Sequence, residues 1–324
     1  MNYLPAKKTR ILLLLGLFLG ALVYKFSSAG GPTNGFDLSN SILPVEQIFH
    51  GGPPRDGIPA LSDPTMIAAG EADYLQAQDR IVGITLNGES RAYPIAILNW
   101  HEIVNDEIGG QRFAVTYCPL CGTAVVFDAT IGGKSTDFGV SGLLYNSDVL
   151  LYDRDTESLW SQILSKAISG ERVGTELVAL PISHTSWRDW LEKHPDTRVM
   201  SDNTGYSRDY QRDPYAGYEQ SRGTYFAVNH QAPDNYHPKE IVVGIGVDGV
   251  YKAYPFIEFD KQGKARFSDS VNGTVFTFDW DSSNRSVTVS DASGDEIAVI
   301  QGFWFAWFAF HPDTDVFKAE SSQT

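Results

Sequence analysis

The sequence predicts a β-dominated α+β fold, with two related β-rich lobes from an internal duplication and few short helices. Three observations carry this reading. Blocks of sequence recur in the same order in two parts of the chain. Most segments inside each copy alternate apolar and polar residues or are β-branched. Stretches with helical character are few and short.

The chain opens with Lys7, Lys8 and Arg10, followed by an apolar run over 11–23 and the small residues Ser27-Ser28-Ala29. This order reads as a signal peptide or a retained N-terminal anchor covering 1–29. The run is short for a helix crossing about 30 Å of hydrocarbon. Cleavage and anchoring both follow from it, and either places the remainder on the periplasmic or extracellular face. Membrane contact is expected through this segment alone. The formal charge of −15 argues against nucleic acid as a partner, because phosphate contacts need a basic surface.

Residues 30–80 read as an extended arm, rich in Gly and Pro around His50-Gly51-Gly52-Pro53-Pro54. A short helix is expected over 65–75, with Asp63 as cap and Pro64 in its first position.

The first lobe spans 81–200. Val82-Gly83-Ile84-Thr85-Leu86-Asn87-Gly88 and Arg91-Ala92-Tyr93-Pro94 recur in the second lobe, 241–318. There they read Val243-Gly244-Ile245-Gly246-Val247-Asp248-Gly249 and Lys252-Ala253-Tyr254-Pro255. Asn-Gly and Asp-Gly between alternating apolar runs are strong hairpin signals. Asp106, Ile108, Gly110 and Phe113 match Asp269, Val271, Gly273 and Phe276. Trp187, Trp190, His194 and Pro195 match Trp304, Trp307, His311 and Pro312. Short helices are expected over 95–104, 186–194 and 303–310, the last two stopping at His-Pro. The first copy carries an insertion over 138–174. A polar, aromatic loop over 201–240 separates the lobes, and 319–324 is a tail.

Cys118 and Cys121 are the only cysteines. They sit in Tyr117-Cys118-Pro119-Leu120-Cys121-Gly122, which the repeat aligns with Asp281-Ser282-Ser283-Asn284-Arg285. The pair is therefore expected on a hairpin turn rather than at the start of a helix. That disfavours a thioredoxin-type site, in which a helix N-terminus lowers the thiol pKa. The turn is shaped like half of a zinc-ribbon knuckle, whose backbone N–H groups point at the sulfurs. Thiolates suit Cu or Zn, but such sites need further ligands.

His101 has no counterpart in the second lobe and is the expected third ligand, with Trp100 and Glu102 beside it. His101-Glu102 opens a zinc-helix motif, but Asn105 stands where its second histidine would be. The insertion supplies a polar wall for the cysteine turn through Tyr145, Asn146, Asp148, Asp153 and Arg154.

Three readings of the pair follow. It is a metal site, a thiol–disulfide redox centre with Cys118 and Cys121 as the reacting groups, or a structural disulfide in a ligand-binding module. Presence of the pair and the insertion in one lobe only favours the metal.

The motifs Asn99-Trp100-His101-Glu102-Ile103-Val104-Asn105-Asp106, Thr116-Tyr117-Cys118-Pro119-Leu120-Cys121-Gly122-Thr123 and Gly142-Leu143-Leu144-Tyr145-Asn146-Ser147-Asp148 are long enough to be specific. In them the chain resembles a bacterial and archaeal family described only as a domain of unknown function, from about Gly51 to about Phe317. His237 departs from that pattern, which weakens it as a ligand. The resemblance implies a shared domain and no particular activity.

Overall fold

The computed structural model describes residues 33–319, and the apolar N-terminal run with its export reading lies outside them. Strands dominate, and the α-helices are short: α1 (Ile95–His101), α2 (Trp187–Lys193), α3 (Phe256–Gln262) and α4 (Trp304–Phe310). No helix among the described residues is long and apolar enough to cross a membrane.

A nine-stranded sheet joins the two parts of the chain. Its centre runs Ile103–Ile108, Gln111–Cys118, Thr123–Asp128, Ile300–Phe303, Ile241–Val247 and Val250–Pro255. The seam is the pairing of Gln301 with Ala124. The chain's two halves thus share one sheet as well as their own local strands.

Both halves contain a hairpin followed by a helix. Strands Arg80–Leu86 and Glu89–Pro94 form a hairpin that leads into α1. Strands Ile241–Val247 and Val250–Pro255 form another that leads into α3. The positive φ values at Asn87, Gly88, Asp248 and Gly249 are what tight hairpin turns require. Each hairpin receives a parallel strand at its edge, with Val199 opposite Ala92 and Val316 opposite Ala253. Gly83 and Gly244 sit under tryptophan rings. A Cβ added at either would come within 2.5 Å of Trp190 or 2.1 Å of Trp307. The indole N–H groups of those rings donate to Thr197 (2.9 Å) and Thr314 (3.0 Å). His194 and His311 pack against the same rings.

The segment 138–169 builds a separate five-stranded sheet. Phe138–Tyr145, Asp148–Asp153, Leu159–Ser161 and Lys166–Ser169 follow one another, and Ile48–His50 from the arm adds the outer strand. Its Phe138, Val140, Leu151 and Trp160 pack on Ile103, Val125 and Phe127 of the large sheet. Asn105 fixes the junction, donating to Phe138 O (2.9 Å) and accepting from Phe138 N–H (2.8 Å).

Two expectations are corrected. The helix over 65–75 is instead strand Met66–Ala68 and one 3-10 turn, Ala69–Glu71. Pairing of Met66–Ala68 with Arg198–Met200 overrides the local propensity. The helix over 95–104 stops at His101, because Glu102 takes a φ of +57° and Ile103 already pairs with Thr116.

Candidate metal centre

Strands Gln111–Cys118 and Thr123–Asp128 pair so that Cys118 faces Thr123 across a hairpin. The turn is closed by the Cys121 N–H donating to Cys118 O at 3.2 Å. That N–H therefore bonds a carbonyl and not a sulfur, unlike the knuckle expected from the sequence. Gly122 follows with a φ of +60°, and a Cβ there would lie 2.7 Å from the Phe303 ring. The Phe303 N–H donates to Cys121 O at 2.8 Å, so the turn is clamped to the neighbouring strand. Both thiols are buried and unjoined.

A second hairpin turn meets this one. Tyr145 and Asp148 face each other at the end of strands Phe138–Tyr145 and Asp148–Asp153. The two residues between them, Asn146 and Ser147, have φ values of 52° and 65°, the conformation of a type I′ turn. Side chains hold that turn in place. Asn146 donates to Ala309 O (3.1 Å) and accepts from Asn229 N–H (2.8 Å). Ser147 Oγ donates to Phe226 O (3.0 Å). The Cys118 thiol donates to Ser147 O at 3.6 Å.

The meeting of the turns assembles one cluster. A sulfur of Cys118, a sulfur of Cys121 and a carboxylate oxygen of Asp148 all lie within 4.8 Å of one another, and all three residues are buried. Asp148 Oδ2 accepts from Ile163 N–H at 3.1 Å. Its Oδ1 is buried with no hydrogen-bond partner. An orphaned buried carboxylate oxygen is costly, so this atom calls for a partner.

Burial opposes ionisation of Asp148 and Cys121. It pushes the Asp148 carboxyl up to about 7, opposed by the Ile163 N–H and, more weakly, by the nearby Val149 N–H and Cys118 thiol. It pushes the Cys121 thiol well above its ordinary range, helped by Cys118 and by the charge of Asp148. A bound divalent cation reverses this preference and favours the ionised forms. Two thiolates and a carboxylate converging at this separation can hold a metal ion.

Beside the cluster lies a cavity of about 80 Å³. Cys118 forms part of its wall, with Glu102 and Tyr215, and the rest is mainly apolar: Ile58, Val140, Leu144 and Val149. Glu102 is 8 % exposed. Burial, then the charge of Asp148, raises its carboxyl to about 8.

The sequence-derived candidates divide. The third group beside the sulfurs is Asp148, not His101. Both ring nitrogens of His101 are engaged elsewhere: Nδ1 donates to Pro59 O and Nε2 accepts from the Tyr210 hydroxyl, each at 2.7 Å. Trp100 donates to Arg212 O at 3.2 Å, which ties α1 to the loop 201–240. The Tyr145 hydroxyl accepts from Asn229 at 3.0 Å. Asp153 accepts from the Trp160 indole (2.9 Å) and from Thr156 N–H (2.7 Å), and Arg154 pairs with Asp56 at 3.0 Å. Asp153 thus braces the insertion internally, and Arg154 ties it to the arm. Tyr215 was not among the candidates, and nothing in the sequence brings this loop residue to the cavity.

A family model described as "Protein of unknown function (DUF3179)" matches residues 55–314. No curated protein and no solved structure matches the chain.

Proposed function

The chain belongs to the DUF3179 family, which carries no assigned chemistry, and we propose from its buried cluster that Cys118, Cys121 and Asp148 hold one zinc ion. The observation that carries this is the unpartnered Asp148 Oδ1 beside two buried sulfurs. Zinc accepts thiolate and carboxylate donors together in a four-coordinate site. Cu(I) prefers thiolate, thioether and imidazole, so the carboxylate favours zinc of the two metals suggested by the cysteines. Three protein ligands leave a fourth position for water or another ligand, the pattern of reactive zinc sites rather than closed structural ones.

Thiol–disulfide exchange is less well supported. An exchanging thiol is accessible and has a lowered pKa. Here Cys118 and Cys121 are 1 % and 0 % exposed, and Cys121 is shifted the opposite way. The reading includes export, supported by the basic residues and apolar run before position 30. Outside the cytoplasm a paired thiol tends to oxidise, and a bound metal would protect it.

The test is metal content of the chain purified without chelators. Near-stoichiometric zinc is expected, with loss of zinc from Cys118→Ser and Asp148→Asn variants that stay folded. A metal-free protein with Cys118 and Cys121 joined as a disulfide would overturn the proposal.

A further inference from the structure

Glu102 is the most unusual residue near the cluster. It is a non-glycine residue with a φ of +57° and a ψ of −32°, a sparsely populated conformation that costs free energy and concentrates at functional sites. The strain is held by backbone bonds on both sides: Glu102 N–H donates to Leu98 O, and Glu102 O accepts from Tyr117 N–H at 2.7 Å. The second bond places Glu102 beside the residue preceding Cys118. Its buried side chain faces the cavity next to Cys118. Among the described residues, nothing hydrogen-bonds its carboxyl, and the shift in its acidity has only burial and the charge of Asp148 behind it. The Tyr215 hydroxyl on the same wall likewise has no protein partner among them, and it feels the charges of Glu102 and Cys118.

Resting on the zinc reading, we propose that the metal's fourth position opens into this cavity and takes a small uncharged molecule with a hydroxyl group, whose O–H hydrogen-bonds Glu102. Water is the smallest such ligand, and a short-chain alcohol matches the size and polarity of the cavity. Charge selects against anions. A zinc ion with two thiolates and a carboxylate is already net negative, and no Lys, Arg or His lines the cavity. An anion entering there would add charge to a buried site that is already net negative, a costly state. Size and polarity select the rest. About 80 Å³ is room for a few waters or one short chain. The walls Ile58, Val140, Leu144 and Val149 suit an apolar body, while Glu102 and Tyr215 suit one hydroxyl. Glu102 is a positioning residue for that ligand and not a metal ligand.

The experiment uses the full chain loaded with Co(II), whose visible bands report the coordination sphere. It is titrated separately with 1-propanol and with acetate, and metal content is measured for wild type, Glu102→Gln and Glu102→Leu. The expected result is metal at wild-type stoichiometry in all three. The bands should respond saturably to 1-propanol and not to acetate, with affinity at least about tenfold weaker in Glu102→Leu than in wild type. Glu102→Gln, which keeps an acceptor oxygen, should lose less. Tighter binding of acetate, an unchanged titration in Glu102→Leu, or metal loss from both Glu102 variants would each overturn the proposal. Wild-type protein that takes up no metal would instead remove the zinc reading and this inference with it, so the two failures are distinct.

Discussion

The carboxylate of Asp148 lies within 4.8 Å of the Cys118 sulfur, and the two residues occupy the ends of hairpins from different sheets. Each turn is independently fixed: one by Phe303 on Cys121, the other by Ala309, Phe226 and Asn229 on Asn146 and Ser147. The donors are therefore arranged before a metal arrives, so binding does not have to order them first.

Asp148→Asn keeps the shape of the side chain and removes its charge. Zinc affinity should fall roughly 100-fold or more, given that even outer-shell changes cost about 10–100-fold. Competition with a chromophoric chelator measures it, with circular dichroism as the check on folding. An unchanged affinity would remove Asp148 from the donor set.

Protons compete with the metal for all three ligands. Burial raises the Asp148 carboxyl to about 7 and the Cys121 thiol well above its usual range. Zinc affinity should therefore rise steeply with pH, by at least about tenfold between roughly pH 6 and 8. The chelator competition repeated across this range is the measurement, and a flat profile would contradict the assignment.

The metal-free protein should show the opposite trend in stability. Asp148 and Glu102 have folded-state values of about 7 and about 8, above their ordinary 3.8 and 4.5. A raised value means the native state binds more protons than the unfolded chain. The stabilisation is fully present below about pH 4 and is lost as pH rises through about 7 to 8. Apart from other titrating groups, the apparent melting temperature should decline over this window. The decline should be shallower in Asp148→Asn, and zinc should oppose it. Thermal unfolding with and without zinc tests this.

His101→Phe should leave zinc stoichiometry unchanged, because the ring nitrogens serve Pro59 and Tyr210. It should cost about 1–2 kcal/mol of stability, since it leaves the part-buried Pro59 carbonyl without its donor while Tyr210 keeps Thr204. Urea unfolding and metal analysis of the same sample separate the two effects.

Gly244→Ala places a methyl group 2.1 Å from the Trp307 ring, and Gly83→Ala places one 2.5 Å from Trp190. Each should cost about 1–3 kcal/mol through overpacking, read by urea unfolding. Zinc content should not change, because these glycines lie on hairpins away from the cluster.

Local signals made the hairpins legible. Asn87-Gly88 and Asp248-Gly249 turn where the sequence indicates, and the cysteines sit on a turn between two strands. The Met66–Ala68 strand was hidden because its partner, Arg198–Met200, is remote in the chain. The same physics hid the donor set. Asp148 was a candidate among several polar residues of the insertion, while His101 looked closer because it is near Cys118 in sequence. Only the docking of the five-stranded sheet on the large one brings the Ser147 carbonyl to the Cys118 thiol, while Pro59 of the arm and Tyr210 of the loop take up the ring nitrogens of His101. Glu102 is strained for a related reason: α1 ends and a paired strand begins with no residue between them but this one.

Elemental analysis combined with thiol titration, on the full chain purified anaerobically without chelators, tests the central claim most directly. The account predicts about one zinc per chain and two thiols that react only after the metal is removed. A protein without zinc, whose two cysteines are recovered as a disulfide, would contradict it.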